Sequence, residues 1–129
     1  MDQTYKKIEK LKSQKLIEQL FAEGKSVAAY PLRLVYLKTK FEDPVQIKAG
    51  VSVSKRNFKK AVHRNHLKRL MREAYRLQKS EYLNNIPEQY AFMILYTGKT
   101  NSDFETISQK MTTLMKNFLS KQSLPTTNF

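Results

Sequence analysis

The chain has 129 residues, enough for one domain with a hydrophobic core and too few for two. Its 24 Lys and Arg against 11 Asp and Glu give a formal net charge of +13, which predicts a polyanionic partner. The absence of Cys excludes disulfides and thiol nucleophiles, and no apolar run approaches the ~20 residues of a membrane span. We expect one cytoplasmic domain over residues 1–129, ordered from about 10 to 120, with flexible ends at 1–9 and 121–129.

Helix and strand patterns alternate along the chain in the order αββαβα. Ser13 is placed to cap a first helix that ends at Gly24. Strands are predicted over residues 31–37 and 48–54, the second with Ala and Val on one face and Gly and Ser on the other. A further short strand around residues 45–47 is an open alternative.

The second half contains one long helix, one buried strand and a last helix. The long helix is predicted from about residue 60 to residue 80. The nearly continuous apolar run over residues 90–97 indicates a central strand covered on both faces. Ser102 and Glu105 have the spacing of a capping box that opens the last helix. These elements predict an α+β fold in which one small sheet packs against helices.

Most of the positive charge is concentrated in residues 55–79. This segment carries ten basic side chains against one acid, Glu73, and so accounts for +9 of the formal +13. The basic residues are Lys55, Arg56, Lys59, Lys60, Arg64, Lys68, Arg69, Arg72, Arg76 and Lys79. A surface designed only for solubility mixes both signs, so this concentration indicates a binding surface.

A helical wheel of the long helix separates an apolar face from a basic face. The apolar face, which we expect to pack on the sheet, comprises Leu67, Leu70, Met71, Ala74 and Leu77. The basic face comprises Arg64, Asn65, Lys68, Arg69, Arg72, Arg76 and Lys79. Cations three and four residues apart repel one another unless an anion neutralises them, so we interpret this face as RNA-binding. A solvated basic surface and a membrane-binding helix are the alternatives, but the apolar face has no Trp or Phe anchor.

A second candidate surface is the face of the 48–54 strand that carries Gly50, Ser52 and Ser54. Their small side chains leave room for a ligand to lie on the strand. Phe21 and Tyr36 are predicted to border this surface, where stacking of an unpaired base on an aromatic ring contributes ~1–3 kcal/mol. A place in the core is an equal alternative for Phe21.

The sequence contains no recognisable catalytic constellation. His63 and His66 have a spacing that fits a metal, but no carboxylate accompanies them and cations surround them. There is no Gly-rich phosphate loop, no serine elbow and no paired-carboxylate site. We therefore predict no catalytic residue, no metal site and no cofactor in the chain itself.

Residues 49–55 read AGVSVSK, and residues 61–76 read AVHRNHLKRLMREAYR. Together they resemble the bacterial ribonuclease P protein component family, whose signature is an Arg-Asn-Arg triplet followed by Lys-Arg and Arg-Glu, after a Val-Ser-Val-Ser-Lys strand. The first helix, with Leu20, Phe21 and Gly24, also resembles that family. The resemblance covers about residues 10–120.

This resemblance implies a mixed sheet with a left-handed βαβ crossover, in a ribosomal-protein-like two-layer sandwich. It implies the small subunit of a ribonucleoprotein that removes the 5′ leader from precursor tRNA, with hydrolysis by the RNA subunit and its magnesium ions. The partners would be that RNA and the leader, with no membrane and no protein partner. The RNA-binding candidates are then Phe21, Tyr36, Ser52, Lys55, Arg56, Lys59, Lys60, Arg64, Asn65, Lys68, Arg69, Arg72 and Arg76.

Three positions depart from the family pattern. His66 replaces the second Arg of the triplet, so a charge there is pH-dependent or absent. The loop over residues 55–60 lacks the usual Gly and is one residue longer, and Ile17 replaces an aromatic residue. The alternative function is a ribosome- or structured-RNA-binding protein without a nuclease partner, and a weaker third is DNA binding.

Overall fold

The computed structural model describes residues 5–84 and 86–122, which form one mixed sheet with three α-helices. The elements are a 3-10 turn Lys7–Glu9, α1 Gln14–Glu23, β1 Lys25–Ala29, β2 Leu32–Lys38, β3 Ile47–Val53, α2 Ala61–Leu83, β4 Tyr90–Tyr96 and α3 Phe104–Lys121. The predicted α+β class is confirmed, with one added strand. β1 was missed because Val27 is its only buried residue. The separate strand around residues 45–47 was wrong, since Ile47 is the first residue of β3.

The strands lie in the order β1-β2-β4-β3. β1 pairs with β2, and β2 with β4, in antiparallel registers, whereas β3 pairs with β4 in parallel. A parallel pair cannot be joined by a tight hairpin, so α2 forms the crossover between β3 and β4. The left hand of this crossover stays a prediction.

Helices cover both faces of the sheet. α2 and α3 pack against one face over the main core, in which Phe92, Ile94 and Phe118 are fully buried. α1 lies on the other face, where Leu20 packs with Met93. The predicted two-layer sandwich therefore has a partial third layer, and β4 is buried on both faces as predicted.

The ends of α1 follow the predicted capping residues. Ser13 Oγ accepts a hydrogen bond from the Leu16 N–H at 3.2 Å, and the Gly24 N–H donates to the Leu20 carbonyl at 2.8 Å. A Cβ on Gly24 would lie 2.9 Å from the Tyr36 carbonyl oxygen, so no larger residue fits where α1 meets β2.

The cap of α3 differs from the predicted one. Asp103, not Ser102, is the N-cap, and its Oδ1 accepts a hydrogen bond from the Thr106 N–H at 2.9 Å. Hydrogen bonds from the Thr106 side chain and then from its backbone N–H lower the pKa of the Asp103 carboxyl. Lys121, predicted to begin a flexible end, is the last residue of α3, and residues 123–129 lie outside the described part of the chain.

The buried side of α2 also differs in part from the predicted apolar face. Leu67, Met71 and Ala74 are fully buried, whereas Leu77 is 36% exposed. Tyr75 is buried instead, because its ring packs edge-on against that of Tyr5, with ring centroids 5.6 Å apart. The N-terminal segment therefore changes which side of α2 is covered.

Residues 5–9 were predicted to be flexible, but they pack along the open edge of β3. Lys10 forms a parallel bridge with Ala49, whose carbonyl accepts hydrogen bonds from the Leu11 N–H at 3.0 Å and from the Tyr5 hydroxyl. Glu9 accepts a hydrogen bond from Lys79 Nζ of α2 at 2.6 Å. Residues 1–4 lie outside the described residues.

The predicted position of Tyr36 at the border of the ligand-binding face is wrong. Tyr36 is 5% exposed, and its ring contacts that of Phe118 edge-on at a centroid distance of 5.0 Å. Side chains alternate along a strand, so Tyr36 faces α3, whereas Val35 and Leu37 face α1. Tyr36 is therefore a core residue.

We expect Tyr36→Ala to lower the free energy of unfolding by about 3–5 kcal/mol, because it leaves a cavity beside Phe118. Phe21→Ala should change it by less than about 1 kcal/mol, since the Phe21 side chain is 52% exposed. Urea unfolding of both variants measures this difference. Equal stability losses would contradict the assignment of Tyr36 to the core.

Candidate RNA interface

α1 leaves part of its sheet face uncovered on the side of β3. There Gly50 and Ser52 of β3 lie beside Met93 and Leu95 of β4, and Ile17 of α1 borders the same surface. We call these five residues the sheet groove. A Cβ on Gly50 would lie 3.3 Å from Met93 Cε, so a larger side chain here would fill the groove. The predicted face of small side chains is therefore present and turned toward α1.

Phe21 lies one helical turn after Ile17 on the same side of α1. Its side chain is 52% exposed, which excludes the alternative place in the core. The ring is therefore exposed on the side of α1 that carries Ile17, whereas its place beside the sheet groove and its contact with RNA stay predictions.

A basic depression of about 1000 Å³ forms one end of the sheet groove. Its lining includes Ser52 and Leu95 of the groove, together with the cations Lys55, Arg56 and Lys99, and no acidic residue. Lys99 was missed by the sequence analysis. It belongs to the loop between β4 and α3, and only the fold brings that loop beside Lys55.

At the other end, the groove reaches α2 through Arg72. A depression of about 280 Å³ joins Arg72 to Ile17, Gly50 and Met93 of the groove, and the N-terminal residues Tyr5, Lys10 and Lys12 also line it. Burial raises the pKa of Tyr5 to about 12, although the nearby Arg72 opposes this shift. Tyr5 therefore remains protonated at neutral pH and can donate its hydrogen bond to Ala49.

Three cations of the predicted basic face, Lys68, Arg69 and Arg72, form what we call the basic row. Arg69 and Arg72 are exposed and Lys68 is half-buried. Among residues 5–84 and 86–122, no salt bridge joins any of them to a carboxylate. Asn65 is exposed one turn before Arg69. This row can therefore meet an anion without first breaking an ion pair.

Arg64 has a different local partner. Its Nη1 donates to the carbonyls of Phe58 and Lys59, each at 2.8 Å. No side-chain hydrogen bond caps the start of α2 at Lys60, so Arg64 fastens the preceding loop to the helix. Phe58 is 6% exposed and packs edge-on against Tyr96 at a centroid distance of 5.8 Å.

Buried Phe58 and the Arg64 hydrogen bonds thus define the path of the loop over residues 55–60. Four of the predicted RNA-binding residues lie in this loop or where it joins α2, and all four side chains are exposed. They are Lys55, Arg56, Lys59 and Lys60.

The C-terminal cations of the basic segment pair with acids. Arg76 forms an ion pair with Glu73, and its hydrogen bond lowers the pKa of that carboxyl. Lys79 pairs with Glu9, and the two side chains are only 14% and 16% exposed. Because these two cations already have acidic partners, the C-terminal part of α2 offers less positive charge to a polyanion than the basic row does.

The two histidines of the chain, whose spacing fits a metal, lie on α2. Within the described ranges, no three His, Asp or Glu side chains cluster closely enough to hold a metal ion. His63 and His66 are both exposed on the first turns of α2.

Comparisons with known proteins agree on one family. A family model described as Ribonuclease P matches residues 5–119. The chain is 38% identical over 111 residues to the ribonuclease P protein component of Porphyromonas gingivalis, covering 81% of this chain and 79% of the relative. It is 38% identical over 126 residues to that of Chlorobium phaeobacteroides, covering 87% and 86%.

Solved structures show the same fold. The RNase P protein from Thermotoga maritima superposes with a TM-score of 0.67 at 26% identity, over 84% of this chain and 96% of that one. The Staphylococcus aureus RNase P protein superposes with a TM-score of 0.69 over 85% and 94%. At 22% identity, the second likeness concerns the fold alone.

We expect Arg72→Ala to weaken binding of a structured RNA and to reduce the slope of log K against log salt by about one, because one phosphate contact is lost. Lys110→Ala removes the same charge from the exposed surface of α3, away from the groove, and should leave the slope unchanged. Titrations at several salt concentrations measure both slopes. An unchanged slope for Arg72→Ala would remove this residue from the interface.

Proposed function

The chain belongs to the bacterial ribonuclease P protein component family, and from this membership we propose how its two surfaces divide the work of that enzyme. It is the protein subunit of ribonuclease P, the ribonucleoprotein endoribonuclease that processes the 5′ leader of precursor tRNA. Its partners are accordingly the RNase P RNA and precursor tRNA. Membership in this family leaves no support for an RNA-binding protein without a nuclease partner.

The basic row is the surface that we assign to the RNA subunit. Lys68, Arg69 and Arg72 present three cations without acidic partners in the described part of the chain, on a rigid helix rather than a loop. Arg supplies two parallel donors to a phosphate, which favours a fixed orientation on an RNA backbone. Asn65 adds an exposed amide that can reach a 2′-hydroxyl or a base edge.

The sheet groove is the surface that we assign to the 5′ leader. Its floor is formed by small or apolar side chains and its end is basic, and the exposed ring of Phe21 lies one helical turn after Ile17 of the groove. An unpaired strand can lie there with its bases against apolar groups and its phosphates toward Lys55 and Arg56. The single observation that carries this proposal is the exposure of Phe21, one helical turn after Ile17 of the groove.

Cleavage itself we assign to the RNA subunit and its magnesium ions. Carboxylate oxygens are the protein ligands that magnesium prefers. The groove is instead lined by small or apolar side chains and its basic depression by cations and hydroxyls, with no carboxylate among the described residues of either lining. The described residues thus favour holding the RNA chain over cutting it. The purified protein should not cleave precursor tRNA, and it should lower the magnesium concentration that the RNA subunit requires.

We also propose that the subunit works in the cytoplasm, with its RNA partners and without an obligatory protein partner. No helix among the described residues is long and apolar enough to cross a membrane. The substrate supports this location, because the enzyme has to work in the compartment that contains precursor tRNA.

The assembled enzyme should bind precursor tRNA more tightly than mature tRNA, and Phe21→Ala should reduce this preference by about five- to hundredfold, the equivalent of one stacked base. Phe21→Tyr keeps an aromatic ring and should retain the preference. Equilibrium binding of both tRNA forms to enzyme with each variant gives the ratios.

The same titrations include assembly with the RNA subunit, which Phe21→Ala should leave unchanged. If the unsubstituted enzyme bound both tRNA forms equally, the leader-binding assignment would be wrong. If Phe21→Ala abolished assembly while leaving the preference intact, Phe21 would belong to the RNA-subunit interface instead.

A further inference from the structure

Tyr30 is the most exposed of the large hydrophobic side chains in the described residues, at 69%. It occupies the turn between β1 and β2, where it is followed by Pro31. Single exposed apolar residues are common on protein surfaces and need no explanation by themselves. Tyr30 is of interest because its turn lies against the loop that lines the basic end of the sheet groove.

The turn is fixed to the loop between β4 and α3. The Pro31 carbonyl accepts hydrogen bonds from the Thr97 N–H at 2.7 Å and from Thr97 Oγ1 at 3.1 Å. A Cβ on Gly98 would lie 2.9 Å from Pro31 Cβ, so the turn and the loop touch with no room for a side chain. Thr97 and Lys99 of this loop also line the basic depression at the end of the groove.

The loop itself is held from two further directions. Asn57 Nδ2 donates to the Gly98 carbonyl at 3.4 Å, and the Tyr96 hydroxyl donates to the Thr100 carbonyl at 2.6 Å. Burial raises the pKa of Tyr96, and the neighbouring Tyr30 contributes to the same upward shift. Tyr30 thus belongs to a turn that is fixed against the loop lining the basic depression.

We propose that Tyr30 is a stacking platform for an unpaired nucleotide of the leader, beyond the basic end of the sheet groove. This proposal rests on the function proposed above, in which the leader lies in that groove. The turn that carries Tyr30 touches the loop that carries Lys99, so a strand that leaves the groove through the depression can continue toward this turn. The depression beside this turn carries Lys55, Arg56 and Lys99, which favours a polyanion over an apolar protein surface, and a tyrosine ring stacks with any base.

Binding of precursor tRNAs with graded leader lengths to the assembled enzyme tests this proposal. Tyr30→Ala should weaken binding by about five- to hundredfold for long leaders, and leave mature tRNA and the shortest leaders unaffected. Tyr30→Phe should match the unsubstituted protein because the ring remains. Tyr30→Leu keeps apolar bulk without an aromatic face and should behave like Tyr30→Ala.

So exposed a side chain should leave the unfolding midpoint unchanged, and urea unfolding of each variant checks that a loss of folding does not cause the change in affinity. The proposal is overturned if Tyr30→Ala keeps the length dependence of the unsubstituted enzyme. It is equally overturned if affinity falls by the same factor for mature tRNA, which would place Tyr30 against another RNA surface. If the unsubstituted enzyme bound precursor tRNA and mature tRNA equally, the proposed leader-binding function would be wrong, and this proposal would fail with it.

Discussion

Parallel pairing between β3 and β4 is the constraint that brings the two proposed RNA-binding surfaces together. Because a parallel connection must cross the sheet, the segment between these strands becomes α2, which carries the basic row. The same pairing places Gly50 beside Met93 and Ser52 beside Leu95, and so builds the floor of the sheet groove. β3 therefore both leads into α2 and supplies Gly50 and Ser52 of the groove. Arg72 of α2 lies where the helix and the groove meet.

The N-terminal segment completes this arrangement by covering the free edge of β3. An uncovered edge strand exposes unpaired backbone groups, and here the Ala49 carbonyl is satisfied by Leu11 and Tyr5. The Glu9–Lys79 ion pair then ties the segment to α2. Such a largely buried pair is weak evidence for stability, because desolvation opposes the attraction, but it does specify one position of the helix against the strand.

The sequence predicted secondary structure correctly wherever the local pattern of residues was compatible with only one kind of element. The boundaries of α1 followed from Ser13 and Gly24, and the doubly buried β4 followed from its unbroken apolar run. The concentration of basic residues in α2, together with the AGVSVSK strand, was sufficient to suggest the family.

Other features depended on contacts between distant parts of the chain. Both faces of β2 are apolar, so alternation could not show that Tyr36 faces α3 while Val35 faces α1. The pairing of Lys79 with Glu9 needed the course of the N-terminal segment. The role of Lys99 in the basic depression needed the β4–α3 loop to be placed beside Lys55, and nothing local to Lys99 predicted this.

We propose that two surfaces that meet at Arg72 divide the RNA between them, the sheet groove holding the leader and the basic row of α2 holding the RNA subunit. Because the chain has no Cys, a single cysteine carrying a photo-cross-linker can be placed at will. In the assembled enzyme with precursor tRNA, Ser52→Cys should cross-link to leader nucleotides, Asn65→Cys to the RNA subunit, and Lys110→Cys to neither. Cross-linking of Ser52→Cys to the RNA subunit alone, or of Lys110→Cys to the leader, would contradict the account.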